Sequence, residues 1–248
     1  MSSEARSRVV VLAGGRGRRL RPISTVIPKP LIPVGEVPIL EVLLRLLAAQ
    51  GFRDVILSLG YLGELVRAFV AAREERFRDL RLSFVQEETP LGTAGALSLL
   101  PPGSGAVGVL NGDILTDLDF AAMRRFHDEG GAALTVAVCR RPFTIPFGVV
   151  ETDGESHAVV AYREKPETEA AVSMGAYWLS AATLERLRPG EHRDMPNLVC
   201  ELIAAGERVL AFPWNGTWAD VGTPGTAEDA ERLASRLLEK AAQPSSRA

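Results

Sequence analysis

The chain has 248 residues, of which 46% are hydrophobic and 24% are charged, and its formal net charge is -3. This length can bury one sizeable core, and the composition is that of a globular protein. The net charge excludes a bulk attraction to nucleic acid or to an anionic membrane, so we expect neither as a partner.

The N-terminal segment and the cysteines bear on the cellular compartment. The first apolar run, VVVLA, is too short for a signal-peptide core or a membrane span, which predicts a cytoplasmic protein. Cys139 and Cys200 stand in apolar contexts and are predicted to be buried, reduced thiols. The three histidines, His127, His157 and His192, do not cluster with them. We therefore expect no structural zinc site, and a surface or capping role for each histidine.

The first half of the chain alternates apolar, β-branched runs with segments of helical spacing. Strands are predicted at residues 8–13, 54–59, 82–86 and 106–110, and helices at residues 38–50, 63–77 and 92–100. This alternation predicts a Rossmann-like α/β fold, with a mostly parallel but mixed sheet and helices on both faces. Ligands of such sheets bind beyond the carboxyl ends of the strands.

The second half is less regular. Strands are predicted at residues 132–139, 148–151, 159–162, 175–179 and 209–212, and helices at residues 181–187, 196–205 and 226–240. We expect a single domain over residues 1–240, followed by a flexible tail over residues 241–248.

The strongest functional signal follows the first predicted strand, in residues 12–30 (LAGGRGRRLRPISTVIPKP). Gly14, Gly15 and Gly17 allow the backbone to approach a ligand closely and to point successive N–H groups at phosphate oxygens. A plain strand-to-helix turn would explain these glycines. It would not explain five cations within fourteen residues, which are Arg16, Arg18, Arg19, Arg21 and Lys29. The segment therefore predicts a triphosphate site.

Two familiar phosphate loops are excluded by the same segment. Leu20 stands where a dinucleotide-binding fingerprint needs its third glycine. A P-loop needs Gly-Lys followed by Ser or Thr, and no such tripeptide follows the glycines.

The segment resembles the signature of the sugar-phosphate nucleotidylyltransferases: a glycine-rich loop, then Arg19-Leu20, Pro22 and Pro28-Lys29-Pro30. The resemblance spans nearly the whole chain and implies the nucleotide-diphospho-sugar transferase type of fold. It implies that the protein converts a nucleoside triphosphate and a sugar 1-phosphate into a nucleotide sugar and pyrophosphate. The N-terminal half would bind the nucleotide and the C-terminal half the sugar phosphate. Arg19 and Lys29 would be catalytic and neutralise the triphosphate.

Residues 87–97 (EETPLGTAGAL) resemble the family's base-recognition element, most closely in the branch of mannose-1-phosphate and D-glycero-D-manno-heptose-1-phosphate guanylyltransferases. The resemblance implies that Gly92 lets the backbone lie against the base and that Thr93 begins a helix. Taken alone, Thr93 is better explained as an ordinary N-cap. A carboxylate only accepts hydrogen bonds, and guanine offers two adjacent N–H donors where uracil and thymine offer one. A carboxylate at Glu87 or Glu88 therefore favours GTP over UTP or dTTP as the bound nucleotide. The predicted nucleotide-binding residues are Leu12, Ala13, Gly14, Gly15, Gly17, Arg18, Arg19, Lys29, Glu87, Glu88, Gly92, Thr93, Asn111 and Gly112.

Two further segments resemble the family's metal elements: Asn111-Gly112-Asp113, and residues 218–224 (WADVGTP). The resemblance implies that Asp113 and Asp220 bind Mg²⁺ and that Asp113 is catalytic. Magnesium is typically held by one or two carboxylates plus substrate phosphates, which suits a pair without histidine. Asp113 on its own would equally be a helix cap or a turn residue.

The sugar-site elements of the family have counterparts at residues 147–150 (FGVV) and 164–166 (EKP). The resemblance implies that the Gly148 and Gly175 backbones lie near the sugar. Glu164 would accept hydrogen bonds from sugar hydroxyls, and Lys165 would hold the sugar phosphate. Without the resemblance, Glu-Lys-Pro would be an ordinary surface turn.

These residues predict a direct in-line transfer, in which a sugar phosphate oxygen attacks the α-phosphorus and pyrophosphate leaves. The sugar stays open among mannose, heptose, another hexose and a cyclitol phosphate. Within the family, the alternative is a glucose-1-phosphate thymidylyl- or uridylyltransferase. A homodimer is expected.

Two other classes compete with this prediction. Asp117-Leu118-Asp119 is a D-x-D tripeptide, typical of metal-dependent glycosyltransferases, but that function leaves Arg19 and Lys29 unexplained. Loss of Asp113, Asp220, Arg19 or Lys29 would favour a non-catalytic nucleotide-sugar sensor, but all four residues are present.

Some polar and aromatic residues are assigned no chemistry. Trp214, Trp218 and Tyr177 are predicted to serve in packing rather than stacking on a ligand. The helical pair Arg124 and Arg125 is predicted to form a solvated face.

Overall fold

The computed structural model describes residues 7–17, 20–103, 105–221 and 227–242. The strands in these residues are β1 (Arg8–Ala13), β2 (Pro33–Val34), β3 (Val37–Pro38), β4 (Asp54–Leu59), β5 (Arg81–Gln86), β6 (Val107–Asn111), β7 (Ile114–Thr116), β8 (Leu134–Thr144), β9 (Val149–Thr152), β10 (Val159–Arg163), β11 (Glu167–Leu179), β12 (Val209–Pro213) and β13 (Trp218–Asp220). The α-helices are α1 (Ile39–Ala49), α2 (Gly63–Ala71), α3 (Gly92–Gly95), α4 (Phe120–Glu129), α5 (Ala181–Glu185), α6 (Met195–Ala204) and α7 (Ala227–Ala242). Short 3-10 turns lie at Ile23–Thr25, Lys29–Leu31, Glu74–Phe77 and Ala96–Leu99.

Seven strands form the central sheet, in the order β12-β8-β11-β6-β1-β4-β5. β1 pairs in parallel with β4 and β6, β4 with β5, and β8 with β12. β11 is antiparallel to both of its neighbours, β6 and β8. The predicted mixed, mostly parallel sheet is therefore confirmed.

Alternate side chains of β1 enter two separate cores, which explains why this strand is apolar without interruption. Val9 and Val11 pack in the core that α1, α2, α4 and α7 cover, and Val10 packs in the core that α3 and α6 cover. All three side chains are fully buried, and burying one of this size stabilises the fold by about 1.5–3 kcal/mol. Helices therefore cover both faces of the sheet, as predicted.

Several element boundaries differ from the predictions. The helix predicted over 63–77 ends at Ala71, where the Arg73 N–H bonds to the Val70 carbonyl and tightens the last turn. β8 and β11 are longer than predicted. Residues 140–144 and 167–171, which lack an apolar pattern, pair with each other beyond the part of the sheet that β6 and β12 reach. α7 extends into the predicted tail, of which residues 243–248 lie outside the described part.

Helix α4 was given no predicted bounds, and the predictions for His127 and Arg124 are wrong, whereas Arg125 is exposed as predicted. The Asp119 side chain caps this helix by accepting the Ala122 N–H at 2.7 Å. His127 is 2% exposed, and burial lowers its pKa to about 4. Arg124 is largely buried as well, with its guanidinium 4.9 Å from the centre of the Trp178 ring. Both side chains point inward because this face of α4 packs against the sheet.

The burial of the two cysteines and the presence of membrane-spanning helices can also be examined. Cys200 is exposed rather than buried, whereas Cys139 is buried as predicted. In the described part of the chain, no helix has the length and apolar character needed to span a bilayer.

Candidate active site

The carboxyl ends of β4, β1 and β6 lie side by side, and glycines follow each of them. The Gly14 carbonyl accepts the Tyr61 N–H at 3.3 Å, and the Leu12 carbonyl accepts the Gly112 N–H at 3.0 Å. A Cβ on Gly60 would lie 2.7 Å from the Gly14 oxygen, and one on Gly112 would lie 2.5 Å from the Leu12 oxygen. Only glycine permits such close backbone approach, so these three strand ends form one continuous floor.

A cavity of about 850 Å³ opens above this floor. Eight predicted nucleotide-binding residues line it: Leu12, Gly14, Gly15, Gly17, Glu87, Glu88, Gly92 and Thr93. The volume lies within the range of small-molecule sites. Of the other predicted nucleotide-binding residues, Ala13 is buried in the core. Asn111 is the last residue of the adjacent strand β6, and Gly112 follows it. Arg18 and Arg19 lie outside the described residues.

Lys29 lies beside the glycine loop. Gly17 has a positive φ of 55°, and its carbonyl accepts the Ser24 hydroxyl at 2.8 Å. A Cβ on Gly17 would lie 3.5 Å from the Lys29 Cβ. The turn that carries Lys29 is thus in contact with the loop that lines the cavity.

Lys29, Asp113 and Asp220 meet in one cluster. The Lys29 ammonium donates to Asp113 Oδ2 and lies 3.4 Å from Asp220 Oδ1. The pairing of β7 with β13 brings the two carboxylates together, since it places Asp220 opposite Ile114, the neighbour of Asp113. The Lys29, Asp113 and Asp220 side chains are 15%, 26% and 29% exposed, so solvent still reaches the cluster.

The two carboxylates suit a hard divalent cation. They are close enough to share the single positive charge of Lys29. No group of three or more His, Cys, Asp or Glu side chains able to hold a metal occurs among the described residues. Two carboxylates completed by substrate phosphates are a typical donor set for Mg²⁺.

The two glutamates that follow β5 differ in their surroundings. Glu87 accepts the Leu91 N–H at 3.0 Å through Oε2, and its Oε1 lies 3.3 Å from the Ser58 hydroxyl. Its half-buried carboxylate therefore joins β4 to the turn before α3. Glu88 is exposed and lines the same cavity. Both glutamates therefore line the cavity, and Glu87 in addition holds the turn before α3.

The predicted sugar-site residues fall into two groups. Gly175 is buried with a φ of 73°, and a Cβ there would lie 2.5 Å from Asn111 Nδ2. This contact places Gly175 against Asn111, the last residue of β6, which stands two positions before Asp113.

The second group belongs to the exposed β9–β10 hairpin and its continuation. The Tyr162 ring packs over Gly148, and its hydroxyl donates to Glu164 Oε2 at 2.8 Å. This bond to a carboxylate raises the pKa of Tyr162. Lys165 follows with a φ of 44°. None of Gly148, Glu164 and Lys165 is among the described residues that line the cavity.

The carboxylates of the D-x-D tripeptide have structural partners. Asp117 Oδ1 accepts the Trp214 indole N–H at 2.9 Å and the Thr217 N–H at 2.8 Å, while Asp119 caps α4. Asp117 thus secures the loop that leads into β13. These roles remove the main reason for assigning a glycosyltransferase site to this tripeptide.

Several cavity residues were not predicted. Gly60, Tyr61 and Gln86 line it from the ends of β4 and β5, and His192 lines it from the second half of the chain. The first three could have been found from their positions after predicted strands, because ligands of parallel sheets bind there. Nothing in the local sequence around His192 indicates that it approaches this site.

Comparison with known proteins identifies relatives of the chain. The family model described as nucleotidyl transferase matches residues 8–235. The mannose-1-phosphate guanylyltransferase catalytic subunit beta of Danio rerio is 33% identical over 225 residues, which are 88% of this chain and 61% of that protein. A probable mannose-1-phosphate guanylyltransferase 1 of Oryza sativa subsp. japonica is 32% identical over 226 residues, 88% of this chain and 62% of the relative. The chain thus spans about three fifths of the length of these relatives.

Solved structures show the same architecture. HddC from Yersinia pseudotuberculosis complexed with GMP-PN superposes with a TM-score of 0.71 and 25% identity, covering 93% of this chain and 99% of that chain. A putative glucose-1-phosphate thymidylyltransferase from Bacillus anthracis, in complex with a sucrose, has a TM-score of 0.70 at 22% identity and covers 92% and 95%. The second likeness concerns the fold alone.

Proposed function

The chain belongs to the nucleotidyl transferase family, and from that premise we propose that it is a sugar-1-phosphate nucleotidylyltransferase. The reaction joins a nucleoside triphosphate and a sugar 1-phosphate to a nucleotide sugar and releases pyrophosphate. GTP is the proposed nucleotide, and mannose 1-phosphate or a heptose 1-phosphate the proposed acceptor. The observation that carries the proposal is the meeting of Lys29, Asp113 and Asp220 beside a glycine-lined cavity.

The chemical problem is the repulsion between two polyanions. A sugar phosphate oxygen is already ionised near neutral pH, so its attack on the α-phosphorus requires no general base. The enzyme has to align the two reactants and offset their charge. The glycine loop at residues 14–17, with its backbone N–H groups, suits the first task, and Lys29 suits the second. Arg19 is proposed to add a second cation.

Asp113 and Asp220 are the residues that would hold Mg²⁺, which when bound supplies further positive charge at the reacting phosphates. Lys29 lies between these carboxylates and the glycine loop, so its ammonium can serve both. Removing one such charge is expected to lower the rate by roughly 10²–10³.

Two observations support GTP. The guanylyltransferase relatives cover most of this chain, and the HddC structure was solved with GMP-PN. The exposed Glu88 can accept both hydrogen bonds that guanine offers from adjacent N–H groups. A thymidylyl- or uridylyltransferase is the alternative, since uracil and thymine offer one donor between two acceptors.

The sugar site is proposed on the second half of the chain. Glu164 is proposed to accept hydrogen bonds from sugar hydroxyls, and Lys165 to hold the sugar phosphate. The Gly148 and Gly175 backbones are proposed to contact the sugar. The chain is also proposed to form a homodimer, and light scattering would measure its mass in solution.

The deciding experiment crosses GTP, ATP, CTP, UTP and dTTP with a panel of phosphorylated sugars and cyclitols, and measures pyrophosphate release. We expect turnover with GTP and mannose or heptose 1-phosphate, dependent on Mg²⁺. Asp113→Asn serves as the inactive control. Equal or better turnover with dTTP or UTP would discard GTP specificity. No pyrophosphate from any pair would overturn the enzyme assignment and favour a nucleotide-sugar sensor.

A further inference from the structure

The start of helix α3 is held by a loop from the other half of the chain. This loop, residues 191–195, leads into α6, and we call it the bracing loop. The Arg193 N–H donates to the Leu91 carbonyl at 2.8 Å, and the Arg193 carbonyl accepts the Ala94 and Gly95 N–H groups at 2.9 Å. These backbone bonds dock the bracing loop onto the segment that lines the cavity.

Two side chains complete the contact reciprocally. The Thr93 N–H donates to Asp194 Oδ1 at 3.2 Å, and the Met195 N–H donates to Thr93 Oγ1 at 2.7 Å. Each side chain satisfies an N–H group at the beginning of the other helix, which is the task of an N-cap performed across two helices. Thr93 and Asp194 are half-buried, which limits competition by water.

The two backbones touch without intervening side chains. A Cβ on Gly92 would lie 2.6 Å from the Arg193 oxygen, and one on Gly95 would lie 2.5 Å from the Glu191 oxygen. Gly92 lines the nucleotide cavity, and His192 of the bracing loop lines the same cavity. The bracing loop therefore lies at the substrate, not on a remote face of the molecule.

Helix α3 has only four residues, Gly92 to Gly95, before the chain tightens into a 3-10 turn. So short a helix has little stability of its own, because helix nucleation is unfavourable. Its position in the cavity wall consequently depends on what caps it. Glu87 secures the turn before it, and Asp194 secures its first residues.

We propose that Asp194 is a positioning residue for the nucleotide, acting through Thr93. It does not line the cavity as the described residues define it. It holds residues 92–95 in the conformation that faces the nucleotide, so the second half of the chain contributes to nucleotide affinity. This inference rests on the proposed function, since it assumes that the cavity takes the triphosphate.

The test compares two pairs of substitutions. Asp194→Ala removes the acceptor for the Thr93 N–H, whereas Asp194→Asn keeps an acceptor oxygen. Thr93→Val removes the hydroxyl at nearly constant shape, whereas Thr93→Ser keeps it. For each variant, KM is measured for GTP and for the sugar phosphate separately. The Kd of GTP with Mg²⁺ is measured without sugar phosphate by calorimetry.

We expect Asp194→Ala and Thr93→Val each to raise the KM and Kd of GTP by about 10-fold. The KM of the sugar phosphate should change less than about 2-fold. Asp194→Asn and Thr93→Ser should restore most of the affinity. The double variant removes both bonds, so it should bind GTP more weakly than either single variant. The combined loss should be smaller than the product of the two single losses, because the two bonds hold the same pair of helix starts.

Glu201→Gln is the matched control on helix α6. It removes the 3.0 Å ion pair with Arg193 Nη1, which does not involve residues 92–95, and should leave both KM values unchanged. Asp194→Ala that folds normally and binds GTP like the wild type would overturn the proposal. So would an equal rise in both KM values. Should Asp194→Ala fail to fold, Asp194→Ser is measured in the same way, because serine suits the start of α6 but has a shorter side chain. An unchanged KM for GTP in that variant would overturn the proposal.

The proposed function can fail separately. If the wild type binds GTP or another of the five triphosphates but releases no pyrophosphate, the proposed nucleotidylyltransferase activity is refuted. The comparison of Kd values then still tests the role of Asp194. A wild type that binds none of them refutes both.

Discussion

The backbone N–H of Val221 donates to the carbonyl oxygen of Asp113 at 3.1 Å. This bond continues the antiparallel pairing in which Asp220 stands opposite Ile114. The separation of the two site carboxylates is therefore set by backbone pairing between β7 and β13 rather than by loops. The Lys29 ammonium lies against both of them.

Asp113→Asn tests the carboxylate that contacts Lys29. The substitution keeps the side-chain shape and removes the charge, so the fold should persist while turnover falls by roughly 10²–10³. Pyrophosphate release and a thermal unfolding curve measure the two effects. Asp54→Asn breaks an exposed ion pair with Arg81 at the opposite end of β4 and serves as control. Full Mg²⁺-dependent activity in Asp113→Asn would remove Asp113 from the metal site.

Lys29→Met tests whether the ammonium and a divalent ion share the same carboxylates. Without Lys29, Asp113 and Asp220 lose one neighbouring positive charge, so binding of Mn²⁺ without nucleotide should strengthen by roughly 5–10-fold. Turnover should nevertheless fall, because the triphosphate loses a cation. Paramagnetic resonance of free Mn²⁺ measures the affinity. Lys165→Met is the control for ion binding, and an unchanged Mn²⁺ affinity in Lys29→Met would argue against a shared site.

Gly175→Ala tests the tight contact beside the site. The backbone has a φ of 73°, and the new Cβ would lie 2.5 Å from Asn111 Nδ2. Left-handed strain and overpacking together should lower the free energy of unfolding by roughly 2–5 kcal/mol. Gly190→Ala is a matched control, with a φ of 80° and open space around it, and should cost about 1–2 kcal/mol. Equal losses in urea titrations of the two variants would show that the Asn111 contact contributes nothing.

The two glutamates before Gly92 should respond differently to substitution. Glu88→Gln removes an exposed carboxylate in the cavity and should lower kcat/KM for GTP by about 10-fold without loss of stability. Glu87→Gln weakens the bonds to the Leu91 N–H and Ser58 hydroxyl, so it should lower Tm and reduce turnover with all triphosphates alike. Kinetics with GTP and ITP separate the two, because ITP lacks the 2-amino donor. Loss of GTP selectivity in Glu87→Gln alone would reverse the assignment.

The buried His127 should make the free energy of unfolding depend on pH. Burial lowers its pKa from 6.5 to about 4, so between these values the unfolded chain binds a proton that the folded chain does not. The free energy of unfolding should therefore fall by about 2 kcal/mol as the pH drops from 6.5 towards 4. Urea denaturation at several pH values measures this slope. His127→Gln should flatten it relative to the wild type, whereas the same change at the exposed His157 should not. A slope that His127→Gln leaves unaltered would assign it to other groups.

The strands and the glycine loop could be predicted because their signals are local. An uninterrupted apolar run such as residues 8–13 indicates a strand buried on both faces, and β1 begins and ends where predicted. The lengths of β8 and β11 could not be predicted in this way. Their exposed ends are stabilised by pairing with each other, and that pairing leaves no hydrophobic pattern.

By itself, the sequence determined the α/β class, the resemblance to a family and the residue types of the site, because hydrophobic periodicity and motif spacing are properties of short segments. Only the tertiary structure decided which of those residues have partners. The pairing of β7 with β13 brings Asp113 and Asp220 together, and the turn that carries Lys29 packs against them. The loop between β12 and β13 brings the Trp214 indole to Asp117. The docking of Asp194 on Thr93 joins residues 101 positions apart. Contacts over such separations follow from how the sheet and helices pack, and no local pattern encodes them.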